Sequence, residues 1–98
     1  MNKNKLIAKF MGYITDDTLL DNFDETYPVH KDWNLLFTVL EKIESLGYHP
    51  TISKRQFQVY SSNWKMIIDS DFYDSFLENA YHGVNAFIKF YNEKNGSI

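Results

Sequence analysis

FQVYSSNWKMIID (57–69) is the stretch that separates a mixed fold from an all-helical one. Phe57 and Val59 fall on one side of an extended run, and Trp64, Met66 and Ile68 alternate in the same way after it. A period of two is the signature of a strand, whose successive side chains point to opposite faces. Between the runs, Ser61, Ser62 and Asn63 carry short polar side chains that bond to nearby backbone and favour turns. The stretch therefore predicts a β-hairpin. Upstream, residues 48–53 predict a further strand, but Ile52 has even parity where Phe57 and Val59 are odd. A one-residue slip would turn every side chain to the wrong face, so Lys54-Arg55 must form a turn or a bulge. Three antiparallel strands are the simplest account.

On either side of the strands the period changes to that of a helix. Leu6, Ile7, Phe10 and Met11 recur at helical spacing, with Gly12 where a left-handed C-cap residue is wanted, which predicts a helix over 3–11. Asp32 is a good N-cap and Gly47 a good C′ residue, bracketing a helix over 33–46. Its polar residues Asn34, Thr38, Glu41 and Ser45 form one stripe, while Leu35, Leu36, Phe37, Val39, Leu40, Ile43 and Leu46 fill most of the remaining circumference. Such a helix is expected to be covered on more than one side. Phe76, Leu77, Ala80, Tyr81, Val84, Phe87, Ile88 and Tyr91 predict a long helix from about Asp71 to Glu93. Gly83 inside it costs about 1 kcal/mol relative to Ala, a cost best explained by close packing there. Tyr13-Ile14 and Glu25-Thr26-Tyr27 are each compatible with a brief strand that would extend the sheet from the 13–30 segment.

Ninety-eight residues fit a single domain, 1–98, and a hydrophobic share of 44% with 17% aromatics is ample for a core. The net charge of −3 gives no overall positive field for nucleic acid or an anionic membrane. Residues 13–30 hold five of the thirteen acids and no Lys or Arg, so the rest of the chain is slightly basic. The absence of cysteine excludes disulfides, thiolate metal sites and a thiol nucleophile. The start, MNKNKLIAKFMGY, is broken by Lys9 and too short for a signal core or a membrane span, so the expected location is cytoplasmic.

KLIAKFMGY (5–13), DWNLLFTVLEKIESLGY (32–48) and AYHGVNAFIKFYNEK (80–94) resemble a group of small bacterial, phage- and prophage-associated proteins of unknown function, of the kind described as a phage α/β/α sandwich domain. The resemblance lies in Met11-Gly12-Tyr13, in Trp33 leading into Val39 to Glu44, and in Ala86 to Asn92. Relatives often have Met-Pro where this chain has Phe37-Thr38, and Trp where it has Phe90. The three stretches cover less than half of the chain and are mostly core positions. They imply a fold and a phage-like genetic context, and no site residue can be carried over from them.

The candidate sites are few. Asp16, Asp17, Asp21, Asp24 and Glu25 gather in TDDTLLDNFDETYPVH (15–30), and hard cations want converging carboxylates. Counted from Asp21, however, the sixth position is Thr26 where an EF-hand needs Gly. The run is read as a solvated, partner-facing loop pinned by Leu19, Leu20 and Phe23. His30, His49 and His82 share no ligand-type spacing and are assigned surface or capping roles. Glu41 and Glu44 would serve acid–base chemistry only in an apolar pocket, and Glu41 lies on the polar stripe. No phosphate loop, nucleophile elbow or zinc helix motif occurs, so no catalytic residue, cofactor or metal is assigned.

The 53–65 hairpin offers the better chemical case. Lys54, Arg55 and Lys65 are interleaved with Tyr60 and Trp64, the combination that binds single strands by stacking and phosphate contact. The favoured reading is a phage- or prophage-type interaction or structural module without catalytic activity, with a protein partner or a homodimer and no membrane association. An accessory nucleic-acid-binding protein using this hairpin is the second reading. A small enzyme is the third.

Overall fold

A computed structural model of the protein describes residues 3–13, 27–52, 56–69 and 75–95. The order is α1 (Lys3–Met11), a 3-10 turn (Val29–Lys31), α2 (Trp33–Ser45), β1 (His49–Ile52), β2 (Phe57–Tyr60), β3 (Met66–Asp69) and α3 (Phe76–Asn95). This is an α+β fold, as the change of period along the chain predicts.

Both early helices end in the same way. Gly12 and Gly47 adopt positive φ, +82° and +95°. The amide of Tyr13 donates to Ala8 O and that of Gly12 to Lys9 O, while Tyr48 and Gly47 repeat the pattern on Ile43 O and Glu44 O. These are Schellman closures, which satisfy the orphan carbonyls of a last turn and need a residue free to turn left-handed. At the start of α2, Asp32 Oδ1 accepts from the amides of Asn34 at 2.9 Å and Leu35 at 3.4 Å.

The last helix is described from Phe76, the first of its periodic apolar residues. Ser75 Oγ accepts from the Glu78 amide at 3.1 Å and Ser75 O from Asn79, which fixes Ser75 as the N-cap and Phe76 as the first helical residue. Ser75 with Glu78 three residues on is a capping-box pattern. The expected start near Asp71 falls among residues 70–74, outside the described residues.

The sheet order is β1-β2-β3, both pairs antiparallel. Pro50 lies opposite Val59 and Ile52 opposite Phe57, so residues of opposite parity share a face, as the 52-to-57 parity change requires. Lys54-Arg55, the expected turn, lies outside the described residues. Val59 pairs with Ile68, but Tyr60 pairs with Met66, leaving Ile67 as an extra residue in β3. The bulge corrects the expected alternation: Ile67 and Ile68 both pack against the core, while Met66 is 46% exposed and Trp64 precedes the strand. The brief strand expected at 13–14 and most of that at 25–27 lie outside the described residues, and among those described the sheet has three strands.

α2 and α3 cover one face of the sheet, and α1 packs on those two helices. Phe57 and Val59 are fully buried in one cluster with Ile7, Leu36, Val39, Ile43, Val84, Phe87 and Ile88. Gly83 of α3 lies against the Phe57 ring so closely that a Cβ there would overlap three ring carbons. Lys42 of α2 donates from Nζ to Phe10 O at 2.6 Å and lies 5.0 Å over the Phe10 ring, tying α2 to the end of α1. α2 is met by α1, α3, β1 and the 3-10 turn, as its wide apolar surface requires, but not at every apolar position. Leu36, Val39, Leu40 and Ile43 are buried, but Phe37 is 49% exposed and stacks on Trp33 at 5.0 Å. Ring-on-ring contact within the helix takes the place of a second covering layer for Phe37.

Candidate functional site

The face of the sheet turned away from the helices follows from the register. His49, Tyr60 and Met66 lie in one row across the three strands, and Thr51, Gln58 and Asp69 in the next. No described helix covers these rows, and Thr51, Met66 and Asp69 are exposed. Gln58 bridges the rows, its amide donating to Met66 Sδ at 3.5 Å while its carbonyl accepts from Tyr60 OH at 3.2 Å.

The turn after β2 places Trp64 over this face. The Trp64 amide donates to Ser61 O at 2.8 Å, the Ser61 amide donates to Lys65 O at 2.8 Å, and the Lys65 amide donates to Ser61 Oγ at 3.2 Å. The Ser61 hydroxyl also meets Asn63 Oδ1. Closing this short loop forces Trp64 to φ +65°, the left-handed region that Gly or Asn normally fills. Trp64 is nevertheless 64% exposed, with its ring stacked on His49 at 4.1 Å between centroids and 5° between planes. Tyr60 lies beside it at 6.0 Å, tilted by 47°. The result is an exposed indole with one ring face occupied by His49, a tilted Tyr60 ring beside it, and exposed Lys65 next in sequence.

Of the residues singled out from the sequence, Tyr60, Trp64 and Lys65 come together here. Lys54 and Arg55 lie outside the described residues, in the connection between Ile52 and Phe57, and that connection joins the strands at the end opposite the 61–65 turn. Asp16, Asp17, Asp21, Asp24 and Glu25 also lie outside the described residues. His49 is the member the sequence reading missed. Its place depends on the β1–β2 register, for which the Ile52 and Phe57 parity was the available signal.

A second polar cluster joins α1, the 3-10 turn and α3. Buried Asn4 receives a hydrogen bond from Tyr81 OH at 2.6 Å on Oδ1 and donates from Nδ2 to His30 Nδ1 at 2.9 Å. Beside it, Lys3 Nζ donates to His82 Nδ1 at 3.1 Å. Both imidazoles are thus held as acceptors on Nδ1. Burial, and then the Lys3 charge, push the His82 pKa down from its ordinary value, with Glu78 opposing. Asn85 Nδ2 donates to Tyr81 O at 2.9 Å, and its buried Oδ1 has no partner among the described residues. Tyr27, packed against Tyr13 at 5.6 Å, has its phenol pushed up to about 12, chiefly by burial and further by Tyr13.

Glu41 and Glu44 are exposed on α2. Among the described residues no group of three or more His, Asp or Glu side chains is placed to hold a metal ion, and no helix is long and apolar enough to cross a membrane. No protein-family model, curated protein or solved structure matches this chain. Function must therefore be argued from the surface itself.

Proposed function

We propose that this chain is a small non-catalytic interaction module that meets its partner through the open face of the sheet. The observation that carries this reading is Trp64. A bulky residue at positive φ costs about 1–2 kcal/mol, and an exposed ring recovers little of that by burial. Stacking on His49 returns about 0.5–1.5 kcal/mol. Stability alone therefore gives no reason for Trp at this position, whereas Trp and Tyr are concentrated at binding hot spots and Met is enriched at interfaces. The phage- or prophage-type setting rests on the resemblance of the three core stretches, and the functions of neighbouring genes would test it.

The stability of Trp64→Asn tests the reading without a known partner. Asn tolerates the left-handed conformation, so the midpoint of chemical denaturation should stay within about 1 kcal/mol of the parent or rise. A loss above about 2 kcal/mol would make Trp64 a structural anchor and overturn the proposal.

A further inference from the structure

We infer that the open sheet face takes single-stranded nucleic acid, a base stacking on the free face of Trp64 while Lys65 meets a phosphate. This rests on the reading of that face as the contact surface, and it names the partner class. Extent is the first argument. Three strands of four residues, at roughly 3.3 Å per residue and 4.8 Å per strand, span on the order of 200 Å². A stable protein interface needs about 800 Å² from each partner, so a second copy seated here alone would dissociate. A site for one or two flat groups is the right size.

Shape is the second argument. Tyr60 and Trp64 stand 6.0 Å apart and are tilted by 47°, so they do not face each other across a slot that could clasp a proline ring. His49 already fills one side of the indole, at 4.1 Å and 5°. What remains is a single broad π surface, the form used by proteins that stack bases without reading sequence. Charge is the third argument. Among the described residues of the sheet and its turn, from His49 to Ile68, Lys65 is the one charged Lys, Arg, Asp or Glu side chain, next in sequence to Trp64. Asp69, in the row away from His49 and Tyr60, is the one acid among the described residues of the face. The aromatic end of the face therefore carries Lys65 and the far row Asp69, which leaves the cation where a phosphate flanking the stacked base would lie.

Fluorescence titration tests the inference. In a Trp33→Phe background Trp64 is the only tryptophan, and a short oligothymidylate should quench it saturably. Binding should weaken between about 50 and about 200 mM salt. Trp64→Asn, followed through the phosphates by a labelled oligonucleotide, should weaken binding by about 5-fold to 150-fold, the worth of one stacked base. Lys65→Gln should weaken it for all sequences and lower the salt slope by about one. The Trp64 indole NH resonance in the unaltered chain provides the same readout should Trp33→Phe perturb the fold. No response to oligothymidylate, an equal response to inorganic polyphosphate or to duplex, or binding indifferent to Trp64→Asn each overturns the inference. If binding fails while Trp64→Asn remains stable, the contact surface stands and its partner is a protein. If Trp64→Asn unfolds the chain, both readings fall.

Discussion

Replacing Gly83 with Ala sets two effects of opposite sign against each other. Helix propensity favours Ala over Gly in a helix interior by about 1 kcal/mol, so a solvent-facing Gly83 would make the variant more stable. Here the added methyl would overlap Cγ, Cδ1 and Cε1 of Phe57, a ring that is fully buried and belongs to a central strand. Such overlap cannot be relieved by the far end of a flexible chain; either the ring leaves its rotamer or α3 moves off the sheet. Overpacking of this kind costs about 1–3 kcal/mol, and with three ring atoms involved the upper part of that range is expected. After the propensity gain, Gly83→Ala should lose about 1–2 kcal/mol, or about 4–16 °C in midpoint for a chain of this size. Urea denaturation of four proteins, the parent, Gly83→Ala, Phe57→Leu and the double variant, isolates the contact. Phe57→Leu should be destabilising alone but should restore part of the loss in the Gly83→Ala background, with a coupling of about 1 kcal/mol or more. A Gly83→Ala protein more stable than the parent, or strictly additive variants, would refute the claim that the glycine exists to admit the ring.

Two further perturbations address parts of the fold outside that contact. Because the His82 pKa is lowered in the folded chain, the unfolded chain binds more protons near pH 6. The contribution to stability is therefore complete above the ordinary histidine value of about 6.5 and is lost as pH falls through the lower folded value. His82→Gln keeps an acceptor for Lys3 but does not titrate, so its denaturation midpoint should fall less than the parent's between about pH 7 and pH 5, and parallel curves would refute the assignment. Ser75→Ala removes the acceptor of the Glu78 amide and should cost about 1 kcal/mol, whereas Ser75→Asp should be nearly neutral. Equal stability of all three proteins in thermal melts would show that α3 begins elsewhere.

Much of the scaffold was readable because single residues carry single-valued instructions. Gly12, Gly47 and Asp32 each stand at a helix end where one backbone conformation or one acceptor is required, and each is used that way. The parity change between Ile52 and Phe57 required a reset of face, and the register supplies one. The bulge at Ile67 was not readable, since Met66-Ile67-Ile68 is equally compatible with alternation from either starting point and tertiary burial chose between them. The candidate site was legible in composition but not in geometry. Tyr60, Trp64 and Lys65 were found by type, whereas successive antiparallel turns fall at opposite ends of a sheet, which separates Lys65 from the connection bearing Lys54 and Arg55. His49 had no local signal, because its partner is an aromatic ring fifteen positions later in the chain.

The Asn4 cluster bears on how the chain is assembled. Its hydrogen bonds to His30 and Tyr81 reach across 26 and 77 positions of sequence, so the first helix is seated by groups from the middle and the far end of the molecule. Such contacts close large loops and form only after their entropy has been met by other packing. A chain truncated before Tyr81 would leave the polar seat of α1 half built.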